Sequence, residues 1–255
     1  MVVLPDRQDE LRRCYDEQAP HFVETRKRPW PEFVYLKEQI EKLVEMKSQP
    51  TVLEIWCGGG RLYTELEHIL PPWTTYTWVD FASGMIKQAK KNAPWAKRLV
   101  KDMVAYLQKQ PQESVDCLLG IASVQHIKGK RKRALFFADA YRSLSRWGMM
   151  ILTNWAYSER FLRKYWKQIA TTLPTLLLDH DLTWNDVLIP RKDHKDPTQH
   201  HTRYYHLFTL YELQQLARQA GFVVRVCNYV AQDGSLTGDR KNARNSFLVV
   251  QKEIH

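Results

Sequence analysis

The chain has 255 residues, a formal net charge of +10, and a composition that is 44% hydrophobic and 26% charged. That length can bury a full core and fits one larger α/β domain, 1–255, carrying an inserted lobe. Cys14, Cys57, Cys117 and Cys227 show no C-x-x-C spacing, no apolar run approaches the roughly 18 residues of a membrane span, and no signal-like segment follows Met1. The expectation is a soluble cytoplasmic protein with no disulfide framework and no membrane association. The basic excess favours a polyanionic partner through steering and counterion release.

Along the chain, Leu11, Tyr15, Ala19 and Phe22 have helical spacing. Pro29 and Pro31 punctuate the segment that follows, and Phe33, Leu36, Ile40, Leu43 and Val44 resume helical spacing up to Pro50. These N-terminal helices occupy 1–48. A β/α alternation then predicts a cofactor-binding core over 49–156, with strands near 51–56, 75–80, 97–101, 115–121 and 148–154 and helices at 60–69, 83–92 and 130–145. Such alternation implies parallel strands with right-handed crossovers and a ligand crevice beyond their carboxyl ends.

Residues 157–208 interrupt the rhythm with Pro174, Pro190, Pro197 and polar, basic segments, and read as a substrate insertion or lid. In the last part, 209–255, Thr209-Leu-Tyr-Glu212 is a capping box opening a helix closed by Gly221. Strand patterns at 222–229 and 246–251 are expected to pair antiparallel. Two basic runs stand out, Lys128 with Lys130 to Arg133, and Arg160, Arg163, Lys164 and Lys167. Either could track a nucleic-acid backbone or be a solvated helix face.

The chemistry concentrates at Thr51-Val-Leu-Glu-Ile-Trp-Cys-Gly-Gly-Gly-Arg61, a short apolar strand broken by consecutive glycines, where a ligand can approach bare backbone. Glu54, Asp80 and Asp102 fall at or near three strand ends. This arrangement, together with Trp78-Val-Asp-Phe-Ala-Ser83 and Val100-Lys-Asp-Met103, resembles the class I S-adenosylmethionine-dependent methyltransferases. The resemblance implies a Rossmann-like seven-stranded sheet and S-adenosylmethionine as cofactor. It carries Gly58 and Gly60 under the methionine end, Asp80 onto the ribose hydroxyls and Phe81 beside the adenine. Asp102 would accept from the adenine amine and Met103 would donate from its backbone. Tyr15, Glu54, Met85, Ile121 and Ala122 complete the implied cofactor set. Trp56 stands where the family has its first glycine. Either the turn rotates the indole away from the pocket or cofactor binding is weakened, and the glycines that follow favour rotation.

Three more stretches, 15–31, Arg203-Tyr-Tyr-His-Leu-Phe208 and Ala243-Arg-Asn-Ser-Phe-Leu-Val-Val250, with Ser123-Val-Gln-His-Ile127, resemble the tRNA wobble-uridine methyltransferases. Those enzymes methylate the carboxylate of 5-carboxymethyluridine in the anticodon loop. The resemblance implies catalytic positions at Arg26, His126 and Arg203, with Trp155, Tyr204, Tyr205, His206, Arg244 and Asn245 on the substrate. It also implies a small activating subunit, for which an apolar first-strand edge is the place to look. His194, His200, His201 and His206 lack an i,i+4 pair with a nearby acid or cysteine and suggest phosphate rather than metal. Competing readings are a small-molecule O- or N-methyltransferase and a catalytically silent RNA-binding relative with Trp56 in the cofactor pocket.

Overall fold

A computed structural model describes residues 7–26, 30–179, 181–192 and 200–253. Helices α1 (Arg7–Glu24) and α2 (Phe33–Met46) precede β1 (Thr51–Ile55), α3 (Arg61–Leu66), β2 (Thr75–Asp80), α4 (Ser83–Ala89) and β3 (Lys97–Val100). They are followed by α5 (Met103–Gln108), β4 (Val115–Ile121), a 3-10 turn at Val124–His126, α6 (Lys130–Ser143) and β5 (Leu144–Trp155). The chain continues through α7 (Glu159–Leu178), β6 (Asp186–Lys192), β7 (His200–His206), α8 (Leu210–Gln219), β8 (Val223–Val230), β9 (Leu236–Thr237) and β10 (Asn245–Gln251).

Among the described residues the main sheet has eight strands in the order β3-β2-β1-β4-β5-β10-β8-β9. β1 to β5 are parallel, whereas β10 runs antiparallel to both β5 and β8. The strand beyond the expected seven is the two-residue β9, paired to β8. β4 is buried along its whole length, which is why Val115-Asp-Cys-Leu-Leu-Gly-Ile121 reads as a nearly continuous apolar run rather than an alternation. Leu36, Ile40 and Leu43 of α2 cover one face with Trp78 and Tyr76. Phe136 and Phe137 of α6 and Leu213 of α8 cover the other.

Strand order reverses between β1 and β4, so the crevice at their carboxyl ends is the expected ligand site. β1 is paired on both sides, to β2 and to β4. The apolar first-strand edge expected from the sequence therefore does not exist, and the open parallel edge is β3. At the opposite end of the sheet Asp116 accepts from Lys47 Nζ at 2.5 Å and from the Thr51 N–H at 2.9 Å. Burial pushes its carboxyl upward, but bonds from Lys47, Ser145 and Thr51 hold it below the usual range.

The insertion is more regular than its sequence suggests. α7 continues through Pro174 and is kinked at Tyr165 (φ −115°, ψ 21°). β6 and β7 form a separate antiparallel hairpin with Pro190 opposite Thr202, a position tolerated because a two-stranded ribbon consists of edges. His194 lies outside the described residues, as do the side chains of His200 and His201. At α8, Thr209 Oγ1 accepts from the Glu212 N–H at 3.1 Å as the capping box predicts. The Glu212 carboxylate instead reaches His206 Nε2 at 2.8 Å. Among the described residues no helix is long and apolar enough to cross a membrane.

Candidate active site

After β1 the backbone turns sharply, with positive φ at Trp56 (50°), Gly58 (55°) and Gly60 (73°). Glycine adopts that region freely; tryptophan is strained there by roughly 1–2 kcal/mol. Gly59 is required for a different reason, since an added Cβ would lie 2.4 Å from Val23 Cγ2 of α1. Asp80, at the end of β2, locks the turn: Oδ2 accepts from the Gly58 N–H and Oδ1 from the Ala82 N–H, each at 2.9 Å. Burial raises this carboxyl to about 7, against the lowering effect of those backbone donors.

Above the turn is a cavity of about 360 Å³. Its floor takes Trp56, Gly58, Asp80, Phe81 and Met85 from the glycine turn and the β2–α4 segment, and Ile121 and Ala122 from the end of β4. Its wall takes Tyr15 from α1, Arg26 from just beyond the end of that helix, His126 from the 3-10 turn, Trp155 from β5, and Arg203 and Tyr205 from β7. Aromatic rings form much of this wall. Trp155 stacks on Tyr205 at 4.3 Å and 5°, and the His126 ring lies between Tyr205 at 4.7 Å and Trp56 at 4.4 Å.

The indole of Trp56 is not rotated away from the pocket. It lines the cavity and stacks on Phe81 with centroids 4.5 Å apart and planes 4° apart. With His126 on its other face, it is held by two stacking contacts that outweigh the backbone strain. No described group pairs with its buried Nε1.

His126 Nδ1 lies 2.9 Å from the Tyr204 carbonyl. A carbonyl only accepts, so Nδ1 carries the proton and Nε2 is an acceptor. Burial is the main cause of a pKa lowered to about 3, with Arg203 adding to it. His126 is therefore a neutral acceptor, not a cation. Arg203 is stacked 5.3 Å from the Tyr205 centroid and bonded to Tyr15, and its buried Nε–H has no hydrogen-bond partner among the described residues. Arg26 lies 3.7 Å over the Phe22 ring.

Other sequence-assigned residues lie elsewhere. Strand alternation sends Arg203 and Tyr205 to the cavity and Tyr204 and His206 to the opposite face. There the Tyr204 hydroxyl donates to Asp186 at 2.7 Å and His206 Nδ1 meets the same carboxylate oxygen at 2.6 Å. Both belong to a buried cluster with Arg133 and Glu212, and neither Tyr204 nor His206 lines the cavity. Glu54 lies beneath the turn, where its Oε2 accepts from the Tyr76 hydroxyl and Trp78 Nε1 at 2.8 Å each. Asp102 caps α5 by accepting from the N–H groups of Val104 and Ala105, and Met103 is buried in the core. Asn245 donates to Glu32 at 2.5 Å, Arg244 is exposed, and neither lines the cavity. In the basic run at 128–133, Lys128 is paired with Asp179 and Arg133 is buried, leaving Lys130, Arg131 and Lys132 exposed.

Arg61 is a wall residue that the motifs do not single out. It stacks 3.2 Å over Trp30, donates to the Arg26 carbonyl at 2.7 Å, and is lowered to about 10 by burial and then by Arg26. Its signal in the sequence is its place directly after the third glycine. Gln125, also on the wall, accepts from the Trp155 N–H at 2.5 Å.

The chemistry of the floor fits an adenosyl cofactor. The Asp80 oxygens retain lone pairs beyond their two backbone bonds, which suits vicinal hydroxyls. At Gly58 an added Cβ would meet nothing within 4 Å, so the turn is open. Residues 52–148 match the family described as Methyltransferase domain. An Encephalitozoon cuniculi protein named as a methyltransferase is 27% identical over 84% of this chain and 87% of its own. The Schizosaccharomyces pombe tRNA (carboxymethyluridine(34)-5-O)-methyltransferase is 25% identical over 83% of this chain and 87% of its own.

Among solved structures, a Methanosarcina mazei SAM-dependent methyltransferase superposes with a TM-score of 0.62 at 17% identity, covering 82% of this chain and 95% of that one. A Haloferax volcanii methyltransferase in complex with the Trm112 activator has a TM-score of 0.62 at 14% identity, covering 96% and 98%. The fold is that of the class I methyltransferases, and with the methyltransferase-domain match over 52–148 and the order of the motifs it supports S-adenosylmethionine as the cofactor. Within that class the chain resembles the tRNA carboxymethyluridine methyltransferases.

Proposed function

We propose that the chain methyl-esterifies the carboxymethyl group of a modified wobble uridine in a tRNA anticodon loop. The observation that carries this reading is Arg203, a buried guanidinium on the cavity wall with an Nε–H that has no acceptor among the described residues. A buried unsatisfied donor calls for a partner supplied by a ligand, and a guanidinium suits a carboxylate.

The cofactor supplies an electrophilic methyl group on a sulfonium. A substrate carboxylate is already ionised at neutral pH and needs no general base, so the residues have only to orient it and exclude water. Arg203 and Arg26 hold the carboxylate. The stacked pair Trp155 and Tyr205 offers an aromatic face to a base taken out of the loop. His126, neutral with Nε2 accepting, suits a uracil N–H donor better than an anion. Asp80, Phe81, Gly58 and Gly60 hold the cofactor, and Trp56 separates its adenine side from His126.

The relatives named for carboxymethyluridine support the substrate class. The Haloferax volcanii neighbour, solved with its activator, supports a small activating subunit. The open β3 edge, with Val100 47% exposed and Trp95 56% exposed, suits such a partner. The deciding experiment incubates the enzyme and S-adenosylmethionine, with and without an activator of that type, with tRNA bearing 5-carboxymethyluridine. Nucleoside mass spectrometry should then show the methyl ester. Methylation confined to small free acids would replace the RNA substrate with a metabolite.

A further inference from the structure

Beside the cavity wall, three distant segments converge on one exposed surface. The Arg160 N–H at the start of α7 donates to the Lys241 carbonyl at 3.1 Å, which seats the helix against the loop before β10. The Ala156 N–H donates to the Arg244 carbonyl at 3.4 Å, and Arg240 lies 5.8 Å from the Tyr157 ring centroid. Tyr157 in turn holds Trp184, from the segment before β6, edge-on at 4.9 Å. Trp184 is 65% exposed. Arg163, Arg240, Lys241 and Arg244 are exposed, and Arg160 is partly so.

Among the described residues these segments carry the acids Glu159 and Asp239, and Asp239 accepts from the Lys241 N–H at 2.8 Å. None of these five basic residues forms an ion pair among the described residues, unlike Lys128 with Asp179 or Arg225 with Glu253. Five like charges gathered around an exposed indole repel one another, and of the five Arg240 is engaged by an aromatic ring of the chain. They match a partner that alternates phosphates with flat bases. The surface adjoins the cavity: Trp155 lines the pocket and also packs on Phe161 of α7 at 5.6 Å.

We propose that Arg160, Arg163, Arg240, Lys241, Arg244 and Trp184 form a docking surface for single-stranded RNA next to the nucleotide held in the cavity. This inference rests on the RNA substrate proposed above and assigns the exposed Arg244 to phosphate rather than to the modified base. The basic side chains hold the backbone, and Trp184 stacks a neighbouring base.

The test measures binding of an anticodon stem-loop by fluorescence anisotropy across a salt series, for the wild type, Arg240→Gln/Lys241→Gln, Trp184→Ala and Lys130→Gln/Arg131→Gln. Calorimetric affinity for S-adenosylhomocysteine, equal in all four, reports an intact fold. The loop double variant should bind roughly ten-fold more weakly, and its salt slope should fall by about 0.7 for each phosphate that is no longer neutralised. Trp184→Ala should lose about ten-fold with the slope unchanged. Wild-type affinity and slope in both variants, or a loss confined to Lys130→Gln/Arg131→Gln, would overturn the surface. Methylation of the same RNA is scored separately. RNA bound through this surface but not methylated would sink the substrate reading alone, and RNA methylated with no effect of the variants would sink the surface alone.

Discussion

Along the floor of the cavity, Trp56, Gly58, Asp80 and Ala122 come from neighbouring strand ends of one parallel sheet, with hydrogen bonds tying Asp80 to the turn itself. The wall has no such common origin. It takes Tyr15 from the first helix, Arg26 from the segment after it, His126 from a 3-10 turn, and Arg203 and Tyr205 from a hairpin far along the chain. The floor is positioned by the sheet that forms it. The wall is positioned by docking, and much of that docking is a buried polar cluster on the far side of β7, where Asp186, His206, Tyr204, Glu212 and Arg133 meet. Substitutions in the floor should therefore change cofactor affinity, substitutions in the wall should change transfer, and substitutions in the cluster should change stability first.

The largest expected effect breaks the wall. Arg203→Ala should lower kcat/KM for the modified tRNA on the order of 10²- to 10³-fold, as loss of an aimed, desolvated donor does elsewhere. Affinity for S-adenosylhomocysteine should change by no more than about two-fold. Equal losses in both would move Arg203 from wall to floor.

Next is the cluster. Asp186 accepts from Tyr204, from His206 and from the Thr183 N–H at 2.6 Å. Burial raises its carboxyl, but these bonds bring it below the usual value. A lowered folded pKa means that the stabilisation is fully present above the unfolded value near 4 and is lost as pH falls through the folded one. Asp186→Asn should thus cost about 3 kcal/mol at neutral pH, lowering Tm by roughly 6–12 °C. The gap should close only in acid. A melting temperature within about 1 °C of wild type at pH 7 would show that the lobe docks without the cluster.

The same contrast explains what could be read from the sequence. The floor was legible because its residues sit in contiguous motifs, Leu53 to Arg61 and Trp78 to Ser83, and because β/α alternation fixes which ends of the strands face a ligand. The parallel direction of the first five strands followed for the same reason. Wall membership was legible at Arg203 and Tyr205 only as part of the stretch Arg203-Tyr-Tyr-His206. The stretch does not say which alternate residues face inward until the hairpin partner and α8 are in place. Regularity in the insertion was hidden by Pro174 and Pro190, which a helix after its kink and an edge strand both tolerate. Glu212 read correctly as a capping-box residue, but its carboxylate serves a longer-range bond that no local pattern announces.

The effect in third place sharpens the boundary between floor and wall. Trp56 stacks on both Phe81 and His126, at 4.5 and 4.4 Å. Neither gap admits another ring, since inserting one needs about twice that spacing. Trp56→Gly relieves the positive φ and frees the Phe81 face, so S-adenosylhomocysteine should bind about ten-fold more tightly. It also removes a support of His126, so KM for tRNA should rise. A calorimetric titration in which the variant binds the cofactor product more weakly would make the indole part of the cofactor site instead of its boundary.

The smallest effect lies under the floor, where it separates structure from ligand contact. Burial raises the Glu54 carboxyl to about 8, outweighing the bonds from Tyr76 and Trp78 that favour ionisation. A folded pKa above the unfolded one gives a contribution that is fully present below about 4.5 and lost as pH rises through about 8. Glutamine keeps an oxygen for the Tyr76 and Trp78 donors but has no charge to bury. The difference in Tm, Glu54→Gln minus wild type, should therefore become more positive from pH 7 to pH 8, by about 2–4 °C. Cofactor affinity at pH 7 should stay nearly constant, because Glu54 supports the turn without lining the cavity. A flat difference in Tm would mean that Glu54 does not titrate in this range. A large loss of affinity would return it to the cofactor contacts implied by its place in the motif.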